Sequence, residues 1–173
     1  EDLRPYIGYD ITSPKAVFLR EMMKGSDTTP GPIKILLYRP AGTGGAKAAV
    51  TIGGLTATAL YDGIRGNDIT MIVQENPDTA GAYDVSTVID GAVIEEQSVT
   101  EISALKENDW VKFSGTGDFE ETVGVPLTGG KDPAITPADY ANFLQVLEPY
   151  SFDILVYDGM DSAVIQAVSL FVK

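Results

Sequence analysis

The sequence contains no cysteine and no histidine among its 173 residues. The lack of cysteine excludes disulfide bonds, thiolate chemistry and sulfur-ligated metal sites. The lack of histidine removes the most frequent general base and every catalytic triad that depends on an imidazole. We therefore predict that the protein is not an enzyme, and we expect no catalytic residue, no metal site and no cofactor.

Basic residues and long apolar runs are also scarce. Lys and Arg number 12 against 25 acidic residues, which gives a formal net charge of -13. This field repels phosphate backbones and anionic lipids, so nucleic acid is not an expected partner. No run of about 18 apolar residues is present, so membrane insertion is not expected either. The hydrophobic content of 44% instead predicts a folded core.

Helical and buried-strand patterns occur at both ends of the chain. Ser13 and Pro14 are typical of a helix start, and Thr136 with Pro137 gives the same signal later. Residues 1–40 are predicted to contain a helix at 14–24 and a strand at 33–39. Residues 131–173 are predicted to contain a helix at 137–148, a strand at 152–157 and a helix at 161–172. A strand, helix, strand order is typical of a parallel sheet, so we expect the two strands to pair in one α/β layer.

The middle of the chain, residues 41–130, has a different sequence pattern. Short alternating or β-branched segments are separated by Gly, Asn and Asp clusters, which predicts an antiparallel β-sandwich. Strands are expected at 46–52, 57–61, 68–75, 83–90, 92–99, 110–115 and 119–128. Asp90 and Gly91 form the strongest hairpin signal. The predicted fold class is mixed α+β, with the sandwich inserted into a partial α/β layer. Because the sequence lacks an initial Met and ends within an apolar periodic segment, we expect a fragment of a longer protein.

Two glycine-rich stretches are candidates for an anion site: GTGG at 42–45 and DGIRGND at 62–68. Phosphate-binding loops open a helix, whereas a strand is predicted after each of these stretches. A structural turn is therefore favoured, with an anion site or an intermolecular contact as alternatives. In such a turn Gly63 and Gly66 would have positive φ, and Asn67 or Asp68 would bond the local backbone.

Other polar and aromatic residues have a structural and a functional interpretation. Asp161 is expected to cap the following helix with Asp158 solvated, and a weak divalent-cation site is the alternative. The pairs Glu95–Glu96 and Glu120–Glu121 point to opposite strand faces and cannot act as an acid and a base. Trp110 is expected to anchor the sandwich core, and a sugar-stacking platform is the alternative.

Several segments together resemble the contractile tail sheath proteins of phages and phage-tail-like particles. They include IGYDITSP, IKILLYR, ALYDGIRGNDITMIV, YDVSTVIDG, NDWVKFSG, PLTGGKD and DYANFLQVLEPYSFDILVY. The most specific part is a loop motif formed by Ala59, Tyr61, Gly63, Arg65, Gly66, Asn67, Asp68 and Ile69. The second is LTGG, Leu127–Gly130. The resemblance covers nearly the whole chain.

The resemblance implies a β-sandwich inserted into a subtilisin-like α/β domain and a mechanical function. It implies polymerisation with other copies of the sheath protein, through terminal extensions absent here, around a tail tube protein. It also implies a location in a virion tail or phage-tail-like particle, with assembly in the bacterial host cytoplasm. The fragment alone is expected to be monomeric, and Arg65 is expected to tie local acids or carbonyls together.

Two other functions stay open at this point. A cell-surface or carbohydrate-binding sandwich would explain the acidity and the strands, but not the flanking α/β segments. A divalent-metal-dependent hydrolase built on Asp158 and Asp161 would use those segments, but it lacks a third ligand or a base.

Overall fold

The computed structural model describes residues 4–172. The chain divides into two compact units: Gly44–Pro133 forms one, and the segments up to Thr43 and from Ala134 onward form the other. No helix within residues 4–172 is long and apolar enough to cross a membrane.

The unit formed by Gly44–Pro133 contains seven strands in two antiparallel sheets. The strands are β1 (Ala49–Ile52), β2 (Leu55–Ala59), β3 (Ile69–Glu75), β4 (Tyr83–Ile89), β5 (Ala92–Val99), β6 (Val111–Gly115) and β7 (Thr122–Pro126). One sheet has the order β1-β2-β6 and the other the order β5-β4-β3-β7. The predicted fold class, a mixed α+β chain with an antiparallel sandwich, is confirmed. The second predicted strand lies two residues earlier than expected, because Gly53 has a positive φ of 55° and turns the chain directly before it.

Alternation along the strands creates the core between the sheets. In β2 every second residue is buried, and β3 follows the same pattern over its first five residues. The buried cluster consists of Ala48, Ile52, Leu55, Ala57, Ala59, Ile69, Met71, Val73, Val85, Ile89, Ile102, Val111 and Leu127. Trp110 packs against this cluster, as expected of a core anchor. The hydrophobic effect of these buried side chains supplies the main stabilisation of the unit.

One polar bridge crosses this apolar core. The hydroxyl group of Thr87 on β4 is buried, with 1% exposure of the residue, and it accepts a hydrogen bond from Asn108 Nδ2 at 3.0 Å. Asn108 Oδ1 accepts from the backbone N–H groups of Trp110 and Val111 at 2.9 and 2.8 Å. Asn108 therefore fixes the start of β6 against a strand of the other sheet.

The turn between β4 and β5 is the two-residue hairpin that the sequence predicts. Asp90 has φ 52° and Gly91 has φ 76°, the positive values that this class of turn requires. One strand ends at Ile89 and the next begins at Ala92. Asp90 has the only positive φ of a non-glycine residue among residues 4–172.

Within residues 4–172, the other unit contains four α-helices, α1 (Arg4–Ile7), α2 (Val17–Met23), α3 (Pro137–Leu147) and α4 (Ser162–Phe171), with a 3-10 turn at Pro14–Ala16. Ser13 and Asp161 accept hydrogen bonds from backbone N–H groups at the starts of their helices, as predicted. Thr136 and Asp139 form a capping box. The hydrogen bonds from the Thr136 hydroxyl and backbone hold the pKa of the Asp139 carboxyl below its ordinary value.

The structure differs from the prediction at the two expected buried strands. It assigns no strand to residues 33–39 or 152–157. Ile33 is fully exposed and Ile154 is 78% exposed. Both segments are rich in apolar residues, but a strand forms only where a neighbouring strand pairs with its backbone N–H and C=O groups. The contacts of these segments are aromatic: Tyr38 stacks on Phe143 with ring centres 4.6 Å apart.

Replacing Asn108 tests the polar bridge. We expect Asn108→Ala to destabilise the sandwich by about 1–3 kcal/mol, because Thr87 loses a donor and two backbone N–H groups lose an acceptor. Thr87→Val should cost less, since Asn108 keeps both backbone bonds. Urea unfolding followed by the fluorescence of Trp110, the single tryptophan of the chain, reports on this unit. Asn142→Ala on exposed α3 is the matched control, and an equal loss in both Asn variants would contradict the bridge.

Candidate functional site

The loop motif singled out in the sequence lies where the chain crosses from one sheet to the other. β2 belongs to the three-stranded sheet and β3 to the four-stranded sheet, and residues 60–68 connect them. The last five of these residues, Ile64–Asp68, form a 3-10 turn. The loop must therefore carry the chain across one edge of the core.

The two glycines of the loop serve different purposes. Gly63 has φ 133° and precedes the 3-10 turn, as the sequence predicts. The prediction of a positive φ at Gly66 is wrong, because this residue lies inside the 3-10 turn. Gly66 is required for space instead: a Cβ there would lie 2.9 Å from Ala48 Cβ and 3.2 Å from Ala59 Cβ. Small side chains at these three positions allow the loop to approach the core closely.

Arg65 joins the loop to the tip of the β4–β5 hairpin. Its Nη1 donates to Asp68 Oδ2 and to Asp90 Oδ1, each at 2.9 Å, and its Nη2 donates to Asp90 Oδ2 at 2.6 Å. The Arg65 side chain is 17% exposed, whereas both carboxylates are more than half exposed. The hydrogen bond to Asp90 raises the pKa of the guanidinium above its ordinary value, although burial acts in the opposite direction. Arg65 is thus a fixed cation between two segments separated by 22 residues or more.

Asn67 joins the loop to the segment that follows β7. Its Nδ2 donates to the Gly130 carbonyl oxygen at 3.1 Å, and its Oδ1 accepts from the Gly130 N–H at 2.8 Å. The expectation that Asn67 would bond the local backbone is wrong, since its partner lies 63 residues away. A Cβ on Gly130 would lie 2.9 Å from Asn67 Oδ1, so this pairing also requires a glycine. The LTGG segment and the loop motif are therefore two halves of one contact.

Further hydrogen bonds attach the loop to the segments that precede β1 and follow β7. The Gly63 N–H donates to the Ala46 carbonyl oxygen at 3.1 Å, and the Ile64 N–H donates to Asp132 Oδ1 at 2.8 Å. Ala46 and Lys131 form an antiparallel bridge with each other. The loop therefore holds together the first and last segments of the sandwich unit.

The remaining motif residues divide into a buried and an exposed set. Ala59 and Ile69 are buried in the core, whereas Tyr61 is exposed, and so is Ile64, which lies in the loop between motif residues. An intermolecular contact, one of the alternatives raised for this loop, would involve the exposed pair.

The geometry does not favour an anion site at the loop. The amides that a phosphate would need are already used: Gly63 donates to Ala46, Ile64 donates to Asp132, and Gly66 donates to the Gly63 carbonyl oxygen at 3.2 Å. Asp132 also places a negative charge where an anion would bind. The loop acts as a structural connection rather than a cradle.

The other candidate residues have structural contacts. Asp161 Oδ1 accepts from the N–H groups of Ala163 and Val164 at 2.8 and 3.2 Å, which is the capping role. Asp158 is exposed. Among residues 4–172, no group of three or more acidic side chains could hold a metal ion. Burial raises the pKa of the Tyr140 phenol, with a smaller contribution from the neighbouring Tyr157.

The close packing at Gly66 leads to a testable expectation. We expect Gly66→Ala to destabilise the sandwich by about 1–3 kcal/mol, because the added methyl group meets two alanine side chains on fixed strands. The double variant Gly66→Ala with Ala48→Gly removes one of those methyl groups and should recover part of the loss. Urea midpoints read by Trp110 fluorescence measure the coupling. Additive losses in the double variant would show that the two positions do not interact.

The Asn67–Gly130 contact can be tested by an isosteric change. Asn67→Asp removes the donor to the Gly130 carbonyl oxygen and directs a carboxylate at it, so we expect a loss of about 1–3 kcal/mol at neutral pH. Asn142→Asp on exposed α3 is the matched control and should change the unfolding free energy little. An unchanged urea midpoint for Asn67→Asp would contradict the contact.

Comparison with known proteins shows which family this chain is similar to. Residues 43–132 match the family profile described as the phage tail sheath protein β-sandwich domain. Two relatives from Bacillus subtilis strain 168 are each 34% identical: an uncharacterized protein, YqbK, across 100% of this chain, and the phage-like element PBSX protein XkdK across 90% of it. The alignments cover 40% and 36% of those proteins.

Two solved structures are similar over almost the entire chain. The sheath tail protein from Desulfitobacterium hafniense is 41% identical with a TM-score of 0.85, over 99% of this chain and 39% of that one. The sheath tail protein Lin1278 from Listeria innocua is 30% identical with a TM-score of 0.76, over 98% and 38%. The chain thus spans about two fifths of the length of these proteins. With a profile match over more than half of its residues, the chain belongs to the phage tail sheath protein family, and it contains that family's β-sandwich domain.

Proposed function

We propose that this protein is the structural subunit of a contractile tail sheath, which polymerises around a tail tube and contracts to drive the tube through a target envelope. The observation that carries this proposal is the 41% identity to a sheath tail protein over 99% of the chain, with a TM-score of 0.85. The family is a structural one, which agrees with the lack of cysteine and histidine for catalysis.

The internal bonding of the sandwich suits a subunit that moves as a rigid body. A contracting lattice changes contacts between subunits while each domain keeps its own packing. The Asn108–Thr87 hydrogen bond joins the two sheets, and the Asn67–Gly130 pair joins the crossing loop to the segment that follows β7. These bonds support the proposal that the sandwich transmits displacement without deforming.

The second unit supports the proposal of an α/β domain that further chain completes. Leu36, Ile154 and Met160 are each roughly half exposed or more, and Met160 is 94% exposed. Burial of such side chains is worth roughly 1.5–3 kcal/mol each. We infer that residues 33–39 and 152–157 pair in parallel within a sheet whose other strands come from segments that the longer relatives possess. This proposal keeps the domain limits predicted from the sequence, which are 1–40, 41–130 and 131–173.

The proposed partners are other copies of the sheath protein and a tail tube protein. Terminal extensions that add strands to neighbouring subunits would provide the contacts between copies. The proposed location is a virion tail or a phage-tail-like particle, with assembly in the cytoplasm of the bacterial host. The name of the relative XkdK, which refers to a phage-like element, supports a particle of that kind.

The two rival functions have less support from the structure. A carbohydrate-binding sandwich would need an accessible aromatic platform, but Trp110 packs against the core cluster. A hydrolase would use Asp158 and Asp161, but the Asp161 carboxylate caps α4.

Electron microscopy of the full-length gene product tests the proposed function. We expect long hollow cylinders built of stacked rings, in an extended form when a tail tube is present and in a shorter, wider form after contraction. Particles without helical order, at concentrations where the folded protein is soluble, would contradict it.

Sedimentation of the 173-residue chain tests where the assembling contacts lie. At low ionic strength we expect a monomer, since the net charge of -13 makes copies repel one another. At high salt the exposed apolar side chains should cause association without order. A closed oligomer, or ordered tubes, would show that the assembling contacts lie within these 173 residues.

A further inference from the structure

The chain contains three Asp–Gly steps: Asp62–Gly63, Asp90–Gly91 and Asp158–Gly159. Such steps are prone to isomerisation, because glycine has no side chain to hinder attack by its backbone nitrogen. The nitrogen of the glycine bonds to Cγ of the aspartate, a C–O bond of the carboxyl breaks, and water leaves. The resulting succinimide takes up water at either carbonyl and yields aspartate or isoaspartate. The reaction needs no oxidant and no other reactant.

The hairpin tip at Asp90–Gly91 is sterically open to this reaction. A side chain placed on Gly91 would meet nothing within 4 Å, and the Asp90 side chain is 58% exposed. Asp90 also has a positive φ of 52°, a conformation that side chains other than glycine adopt at a cost. Neither burial nor crowding protects this step.

The Asp90 carboxylate is instead held by Arg65, which hinders succinimide formation. Its two terminal nitrogens donate to the two Asp90 carboxylate oxygens, at 2.9 and 2.6 Å, and its third hydrogen bond to Asp68 fixes the guanidinium. A carboxylate held on both oxygens by a cation stays ionised, and an ionised carboxylate cannot release water. The same two hydrogen bonds keep Asp90 Cγ from rotating toward the Gly91 nitrogen.

We propose that Asp90–Gly91 is a site of isoaspartate formation and that Arg65 protects it. The consequence of losing this protection follows from the fold. Isoaspartate adds a methylene group to the main chain, and a two-residue turn sets the register between β4 and β5. Every pair along the two strands would be affected, so the Arg65 contact preserves the sheet over the lifetime of the protein.

The other two Asp–Gly steps provide internal references. At Asp62–Gly63 the attacking nitrogen is engaged, since the Gly63 N–H donates to Ala46, and Gly63 is buried. At Asp158–Gly159 the aspartate is exposed and the stretch has no helix or strand, but Gly159 is half-buried and a Cβ on it would collide with the Tyr157 ring. We expect Asp90–Gly91 to isomerise slowly in the wild-type chain in spite of its exposure, and the rate at Asp158–Gly159 not to depend on Arg65.

The test is ageing of the folded chain at 37 °C and neutral pH, with isoaspartate at each step measured by peptide mapping and mass spectrometry. Arg65→Gln should accelerate the reaction several-fold at Asp90–Gly91 and leave the rate at Asp158–Gly159 unchanged. Arg65→Lys, which keeps one charge but loses the second hydrogen bond, should be intermediate. Asp90→Glu removes the five-membered ring and sets the background for that peptide.

Three outcomes would overturn the proposal. One is an equal rate at Asp90–Gly91 in the wild-type chain and in Arg65→Gln. Another requires no variant: the wild-type rate at this step, relative to Asp158–Gly159, would be the same in the folded chain as in urea. A rise at all three steps together in Arg65→Gln would also count against it, because loss of the fold rather than of the contact would explain that result.

Discussion

The close approach of the crossing loop to the strands behind it is the constraint on which the sandwich depends. The chain leaves one sheet at β2, turns within residues 60–68 and enters the other sheet at β3. Gly66 can occupy this position only because Ala48 and Ala59 are small. The same approach brings Asn67 within hydrogen-bond distance of Gly130. A larger side chain at Gly66 would therefore disturb both the core and the closure of the unit.

The polar groups of the loop are specialised for holding chain segments together. A glycine-rich loop with free amides and a nearby cation can bind anions, whereas this loop uses its amides on Ala46 and Asp132. Its one cation, Arg65, is directed at the hairpin tip. Ion pairs with exposed carboxylates contribute little to stability, so the value of Arg65 lies in the geometry it imposes on Asp90. Arg65 thus pairs with Asp68 inside the motif and with Asp90 at the hairpin tip, which explains why an arginine and an acid occur together in the loop.

Patterns that depend on neighbouring residues were predictable from the sequence. Alternation located all seven strands of the sandwich within a few residues, and Asp90–Gly91 located the hairpin. Helix starts at Ser13, Thr136 and Asp161 follow from capping chemistry, which is local. The contacts of Gly66 and Asn67 were not predictable, because their partners are distant in sequence and a glycine required for space looks the same as one required for φ. The apolar segments at 33–39 and 152–157 have the composition of strands, but strand formation depends on a partner that composition does not specify.

The two units differ in how completely each buries its own apolar residues. The sandwich encloses a continuous cluster from Ala48 to Leu127, and no buried side-chain polar atom among residues 4–172 lacks a hydrogen-bond partner. The other unit keeps Leu36, Ile154 and Met160 in solvent and relies on aromatic pairs such as Tyr38–Phe143. An exposed apolar surface of this kind lowers its free energy by binding further chain. The sandwich therefore has a shape that is fixed internally, whereas the other unit leaves apolar surface exposed. In the proposed sheath, this division would leave the sandwich unchanged while contacts elsewhere are exchanged.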